Sequence, residues 1–119
     1  MPRVLLIDDE PDILRLYRVF FEDAEFEVYE ARTVDEAIQM RQISKPDAVI
    51  LDFSIEGDGG ARLIELMAVA KPRIPVFVST GYSPETVWKV ARPHQLSGVF
   101  LKGAAPTALV RAVAEAVAK

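Results

Sequence analysis

The chain has 119 residues, half of them hydrophobic, which is enough to bury the core of one domain without disulfides or a structural metal. It contains no cysteine, which excludes a disulfide framework, a thiolate nucleophile and cysteine-ligated zinc. Its 18 acidic and 14 basic residues give a net charge of −4 without a basic cluster, so we expect no direct binding of nucleic acid. The N-terminal apolar run is too short for a signal peptide or a membrane span. We therefore expect a cytoplasmic protein with a single domain over residues 1–119.

Short β-branched and apolar runs alternate with longer segments of helical period along the chain. This alternation predicts a doubly wound (βα)₅ fold of the α/β class, in which a parallel sheet is covered by helices on both faces. The predicted strands are residues 4–7, 27–31, 48–51, 75–79 and 98–101. The predicted helices are residues 11–24, 33–45, 61–70, a short helix from residue 84 that ends before residue 93, and a last helix from about residue 106.

Local signals predict where some helices begin and which face they bury. Thr33 followed by Glu36 is a capping box, in which each side chain accepts a hydrogen bond from an otherwise unpaired backbone N–H. Ser83 precedes a proline and is expected to cap the fourth helix. The first helix repeats apolar residues at the spacing of one helical face, which we expect to be buried: Ile13, Tyr17, Phe20 and Ala24.

Chemically useful side chains follow four of the five predicted strands. Open α/β sheets form their sites beyond the carboxyl ends of the strands, so these side chains are expected to meet at one edge. They are Asp8, Asp9 and Glu10 after the first strand, Asp52 after the third, Ser79, Thr80 and Gly81 at the end of the fourth, and Lys102 after the fifth. Taken singly, each is common loop chemistry, but their joint occurrence favours a shared site.

Crowded carboxylates repel one another, and a hard divalent cation with oxygen ligands, such as Mg²⁺, relieves that repulsion. A lysine and a hydroxyl on the other side of the cluster are suited to hold the remaining oxygens of a phosphoryl group. An aspartate carboxylate can itself be the nucleophile in such a transfer. The pattern therefore predicts phosphoryl chemistry assisted by a divalent cation.

Four segments resemble the receiver domains of two-component signalling, and the resemblance covers the whole chain. The segments are residues 4–11 (VLLIDDEP), 45–52 (KPDAVILD), 75–81 (PVFVSTG) and 98–109 (GVFLKGAAPTAL). The resemblance implies a flavodoxin-like three-layer sandwich with a five-stranded parallel sheet in the order 2-1-3-4-5. It also implies a phosphoacceptor domain of a response regulator, which assists its own phosphorylation and dephosphorylation and is not otherwise an enzyme.

The resemblance assigns the metal ligands. Asp9 would bind Mg²⁺ directly, Asp8 would bind it largely through water, and Asp52 and the backbone carbonyl of Ser54 would complete the protein's share of the ligands. These roles come from the family pattern.

The resemblance also assigns the residues that handle the phosphoryl group. Asp52 would accept it, Lys102 would pair with one of its oxygens, and Thr80 would hydrogen-bond to it and shift on activation. Gly81 stands where the family has a small residue close to the phosphate. Tyr82, two residues after the threonine, is bulky enough to shield the phosphoryl group from water.

Three positions depart from the family pattern. Gly103 replaces the proline that usually follows the lysine, so a cis peptide is not expected there. Glu56 replaces the proline four residues after the phosphoacceptor, and is expected to add negative charge in a mobile, glycine-rich loop. Val99 occupies the aromatic switch position, while Phe100 points to the opposite side of the strand. These changes bear on switching and leave the phosphorylation residues intact.

The implied partners are a histidine kinase or phosphotransfer domain as the donor, and an output domain or downstream protein at the face of the fourth helix, fifth strand and fifth helix. No membrane contact is expected, and the implied state is a monomer or a phosphorylation-dependent dimer. One alternative is a degenerate receiver that binds partners without phosphorylation. A more distant alternative is a phosphohydrolase of the haloacid-dehalogenase type. Its Asp-x-Asp motif is absent, because Asp8 and Asp9 are adjacent.

Overall fold

The computed structural model describes residues 1–118 as five strands and five helices in strict alternation. The strands are β1 (Arg3–Ile7), β2 (Glu27–Ala31), β3 (Ala48–Asp52), β4 (Val76–Thr80) and β5 (Gly98–Leu101). The helices are α1 (Pro11–Asp23), α2 (Val34–Ser44), α3 (Gly59–Val69), α4 (Pro84–Trp88) and α5 (Pro106–Ala118). A short 3-10 turn at Pro93–Gln95 leads into β5. Within this described part, no helix has the length and apolar character needed to cross a bilayer.

All neighbouring strands are parallel, and their order is β2-β1-β3-β4-β5, which confirms the predicted sheet. Strands β3 and β4 each continue one residue further than the sequence predicted. Asp52 is therefore the last residue of β3, paired with Ser79, and Thr80 is the last residue of β4, paired with Leu101. Both site residues are consequently held by the sheet itself.

Two clusters of buried apolar side chains occupy the two faces of the sheet. Alternate residues of β1 show the division, since Leu5 and Ile7 belong to one cluster and Val4 and Leu6 to the other. Helices α2, α3 and α4 cover the first cluster, and α1 and α5 cover the second. Covering both faces leaves the strand ends as the place for polar side chains.

The buried face of α1 differs from the prediction. Its buried residues are Leu14, Tyr17 and Phe21, whereas Ile13 and Phe20 lie at the border of the core and are only partly buried. Ala24 follows the end of the helix and is exposed. Tyr17 is buried as predicted, but the other predicted positions were wrong by about one residue, because adjacent apolar residues (Ile13 with Leu14, and Phe20 with Phe21) compete for the buried face.

The capping box at the start of α2 is present in a shifted form. The backbone N–H of Glu36 donates to Oγ1 of Thr33 at 3.0 Å, while the Glu36 carboxylate accepts from the N–H of Arg32 at 2.8 Å. Ser83 occupies the N-cap position of α4 with Pro84 after it, as predicted, but its hydroxyl bonds to the hydroxyl of Thr86 at 3.3 Å and makes no capping hydrogen bond.

Helix α3 begins two residues earlier than predicted and takes in two glycines of the preceding loop. A Cβ at Gly60 would clash with the backbone of Phe53. The glycine therefore lets the first turn of α3 lie directly against the chain that leaves β3, which compacts the loop after Asp52.

Candidate functional site

Three carboxylates meet at the carboxyl edge of the sheet. Asp8 and Asp9 leave the end of β1, and Asp52 ends the neighbouring strand β3. Each of the three offers an oxygen, and these oxygens lie within 4.8 Å of one another. Asp8 and Asp52 are only 3 % and 2 % exposed, whereas Asp9 faces solvent. The cluster is thus half buried and open on one side.

The amine of Lys102 lies against this cluster. Its Nζ is 3.1 Å from Oδ1 of Asp8, 3.2 Å from Oδ2 of Asp52 and 2.8 Å from Oε1 of Glu10. The lysine side chain is only 12 % exposed. The glycine that follows it therefore does not turn the amine outward, and the structure brings the predicted lysine and carboxylates together.

The pKa values of Asp8 and Lys102 are both raised, for different reasons. Burial, with a further contribution from the charge of Asp52, raises the pKa of Asp8 from 3.8 to about 6, although the backbone N–H of Glu10 and the Lys102 amine oppose it. Burial alone would lower the pKa of Lys102. The hydrogen bond to Glu10 and the charges of Asp8 and Asp52 outweigh that effect and raise it. The amine is therefore a cation at neutral pH.

The donor set fits a hard divalent cation. It consists only of oxygen atoms, it holds more negative charge than Lys102 neutralises, and ionising Asp8 beside Asp52 is unfavourable without further positive charge. The Ser54 carbonyl accepts one hydrogen bond from the N–H of Gly57 at 2.9 Å, which leaves its second lone pair for a metal ion.

The residues at the end of β4 form the next part of the site. Thr80 is fully buried, and its Oγ1 accepts a hydrogen bond from the backbone N–H of Tyr82 at 2.9 Å. Its carbonyl accepts from the N–H of Lys102 at 2.8 Å, which ties the end of β4 to the lysine. Gly81 is exposed, with no atom within 4 Å of where a Cβ would stand, and Tyr82 is 55 % exposed.

A buried tyrosine holds the segment after the lysine. The hydroxyl of Tyr17 accepts from the backbone N–H of Gly103 at 2.9 Å and shares a hydrogen bond of 2.8 Å with the Ser79 hydroxyl. Gly103 has a φ of 70°, in the left-handed region that favours glycine. The described part of the chain has a cis peptide at Lys71–Pro72 and none at this glycine. The hydrogen bond from Gly103 to Tyr17 of α1 thus holds the turn after Lys102, where receiver domains usually have a proline.

Sequence reasoning missed two parts of this arrangement. Glu10 was noted only as a third acid after β1, yet it makes the shortest contact with Lys102. Tyr17 was assigned to the apolar face of α1, but a buried tyrosine hydroxyl needs a hydrogen-bond partner. A tyrosine on an otherwise apolar stripe was the available signal.

Glu56 is engaged at a helix terminus. Its carboxylate accepts from the backbone N–H of Val34, the first residue of α2, at 2.6 Å. Its own N–H donates to Oδ2 of Asp9 at 3.4 Å, and its φ is 51°. The negative charge of Glu56, which was expected to lie beside the carboxylate cluster, therefore faces the positive end of the α2 dipole.

The two residues at the switch position lie on opposite faces of β5, as strand alternation predicts. Val99 packs against the core cluster under α2 to α4. Phe100 packs against the cluster under α1 and α5, with its ring centroid 6.4 Å from that of Phe77. Because successive side chains of a strand point to opposite faces, the Phe100 ring cannot occupy the place of the missing aromatic ring on the Val99 side.

Comparison with known proteins decides the family. The family described as "Response regulator receiver domain" matches residues 4–114. This chain belongs to that family. The receiver is 30 % identical to the nitrogen assimilation regulatory protein NtrX of Azorhizobium caulinodans over 81 residues. These residues cover 66 % of this chain and 18 % of NtrX. It is 32 % identical to the KDP operon transcriptional regulatory protein KdpE of Escherichia coli over 87 residues. These residues cover 72 % of this chain and 38 % of KdpE.

The fold of this receiver is that of solved CheY-like proteins. A response regulator receiver domain protein from Methanospirillum hungatei superposes with a TM-score of 0.88 over 99 % of this chain and 94 % of that one, at 20 % identity. This likeness supports the flavodoxin-like fold. The receiver spans less than two fifths of the length of NtrX and of KdpE, so the activities of those whole proteins do not transfer to it.

Proposed function

We propose that this receiver accepts a phosphoryl group on Asp52 from the phosphohistidine of a histidine kinase or phosphotransfer domain. The observation that carries the proposal is the position of the Lys102 amine, 3.2 Å from Asp52 and 3.1 Å from Asp8, against the two buried carboxylates of the cluster. A structural ion pair would need one acid, whereas this lysine faces three, with a further carboxylate at Asp9.

The chain's own residues account for most of the transfer. Oδ1 of Asp52 is held by the N–H of Ser54 at 3.1 Å, and Oδ2 is held by Lys102, so the carboxylate is oriented before the donor arrives. A carboxylate oxygen of Asp52 forms the new P–O bond while the P–N bond to the donor histidine breaks, and the imidazole nitrogen keeps the electron pair of that bond. Lys102 then neutralises one oxygen of the product.

Asp8, Asp9, Asp52 and the Ser54 carbonyl are the residues that would hold Mg²⁺. When bound, Mg²⁺ supplies positive charge to the oxygens of the transferring group. The raised pKa of Asp8 supports this assignment, since a group that ionises unfavourably alone gains most from a neighbouring cation.

The proposed switch begins at Thr80. In the structure its hydroxyl is engaged by the N–H of Tyr82, so a phosphoryl group on Asp52 competes with that loop for the hydroxyl. The phosphoryl adds about −1.5 to −2 charge, which draws the threonine and repacks the loop between β4 and α4. Trp88 and Leu101, which are 39 % and 52 % exposed, lie on the adjoining α4-β5-α5 face, where an output domain or downstream protein would bind.

Val99 in place of an aromatic residue makes the coupling from Thr80 to this face depend on the loop alone. We further propose that residues 1–119 act as one receiver module in the cytoplasm, either as a monomer or as a dimer formed on phosphorylation.

The test is to incubate the protein with acetyl phosphate and Mg²⁺ and to measure its intact mass. We expect a gain of one phosphoryl group, lost in Asp52→Asn and retained in the control Asp23→Asn, which changes an exposed aspartate at the end of α1. A gain that survives Asp52→Asn would refute the assignment.

Two alternatives predict different results in the same experiment. A degenerate receiver would gain no mass and would bind its partner equally with or without acetyl phosphate. A phosphohydrolase would release phosphate continuously from a generic phosphate ester, whereas the proposed receiver turns over only its own aspartyl phosphate.

A further inference from the structure

A groove of about 750 Å³ lies between α2 and α3, far from the carboxylate cluster. Its floor includes the segments that enter β3 and β4, so it is at the amino edge of the sheet, opposite the phosphorylation site. Its volume falls within the range of small-molecule sites, about 300–1,000 Å³. Most of its walls are apolar, and the principal apolar residues are Ile38, Pro46, Leu66, Met67, Pro72 and Ile74.

A buried arginine lines this groove. Arg41 is only 8 % exposed, and its Nη2 donates to the carbonyl of Pro72 at 2.6 Å. Its Nε is buried without a hydrogen-bond partner. Within residues 1–118 no carboxylate forms an ion pair with it. Burial lowers the pKa of this guanidinium, which is the expected response of a charge that has left water without a counter-charge.

The charge around the groove is also unbalanced. Lys45 and Lys71 line it together with Arg41, and Asp47 is the one acidic residue among the lining residues described. The Asp47 carboxylate already accepts a hydrogen bond from the N–H of Arg3 at 2.7 Å. A positive, apolar groove in a chain of net charge −4 is suited to an anion with an apolar body.

We propose that this groove binds a small amphipathic organic acid, whose carboxylate pairs with Arg41 and whose acyl chain or ring packs against the apolar walls. A guanidinium offers five donors in a planar fork, and a carboxylate matches that fork with two parallel hydrogen bonds. The groove has room for such a molecule, and its cation lies among apolar side chains instead of on an exposed rim, so the acid must bring its own apolar surface into contact. This site is independent of the function proposed for Asp52.

The test uses octanoate as the probe, with octanol and octylamine as matched compounds of the same chain length. Binding is followed through amide chemical shifts in ¹⁵N-labelled protein. We expect saturable shifts at the groove residues, roughly tenfold tighter binding of octanoate than of octanol, and none of octylamine. Equal binding of octanoate and octanol, or shifts that do not saturate, would overturn the proposal.

Variants locate the effect. Arg41→Met keeps a similar volume and removes a desolvated charge, so it should fold, and it should abolish the tenfold preference for octanoate. The control Lys89→Met removes an exposed cation on α4's C-terminal side, outside the groove, and should leave the preference unchanged. If Arg41→Met retains the preference, or if an acidic amphipathic peptide binds while octanoate does not, a small organic acid is not the ligand.

Discussion

Removing one buried hydroxyl should loosen the segment that carries the lysine. Tyr17→Phe deletes an oxygen that accepts from Gly103 N–H at 2.9 Å and shares a 2.8 Å hydrogen bond with Ser79. Tyr17 is 3 % exposed and Ser79 is 1 % exposed, so water does not readily replace the lost partner at the serine. The Gly103 amide is only half-buried and can recover a hydrogen bond from solvent.

The magnitude follows from these two environments. A hydrogen bond contributes about 1 kcal/mol net, and a donor left buried without a partner costs about 1–3 kcal/mol. One buried loss and one partly rescued loss therefore lower the free energy of unfolding by about 2–3 kcal/mol. For a domain of this size each kcal/mol corresponds to roughly 4 °C, so the melting temperature should fall by about 8–12 °C.

The assay is urea unfolding followed by circular dichroism, with Tyr29→Phe as the matched control. Tyr29 is a half-buried tyrosine on β2 that packs against the opposite core cluster, and within residues 1–118 its hydroxyl makes no side-chain hydrogen bond. The control should change stability by less than about 0.5 kcal/mol. A double-mutant cycle with Ser79→Ala should show a coupling of about 1 kcal/mol. Equal losses for the two tyrosines, or no coupling, would refute the proposed role of the hydroxyl.

Three further predictions follow from the site. In metal-free protein the raised pKa of Asp8 means that the folded state binds the Asp8 proton more tightly than the unfolded state does. The free energy of unfolding should therefore fall by up to about 3 kcal/mol as the pH rises from about 4 to about 6. Mg²⁺ should restore stability at about pH 7.5 and do little at about pH 5, where Asp8 is protonated; equal effects at both pH values would contradict this. Glu56→Ala should lower the free energy of unfolding by about 1 kcal/mol in urea titrations and Glu56→Gln by less, because glutamine keeps an acceptor at the α2 terminus; an equal loss would exclude the hydrogen bond as the cause. The aspartyl phosphate should decay faster in Tyr82→Ala than in the parent, measured as phosphate release, and identical rates would reject shielding.

The positions of the site residues followed from strand order, which local sequence patterns make visible. Apolar runs of four residues, followed by Asp8, by Asp52 and by Ser79 with Thr80, predict buried parallel strands, and such strands bring their carboxyl ends to one edge. The Thr33 cap was also predictable, since a capping box depends on residues three apart. Ser83 has only half of that signal, because Thr86 stands three residues on where a capping box has Glu or Gln, and the two hydroxyls bond to each other.

The sequence by itself determined the elements, their order and the edge at which acids, threonine and lysine meet, because periodicity and strand order act along the chain. Only the tertiary structure decided which atoms those groups contact: that Glu10 shares Lys102, that Tyr17 on α1 fixes Gly103 after β5, and that Arg41 is buried beside an apolar groove without a carboxylate. Such contacts join residues up to 92 positions apart. They depend on how helices seat on the sheet to within an ångström, which spacing along the chain does not encode.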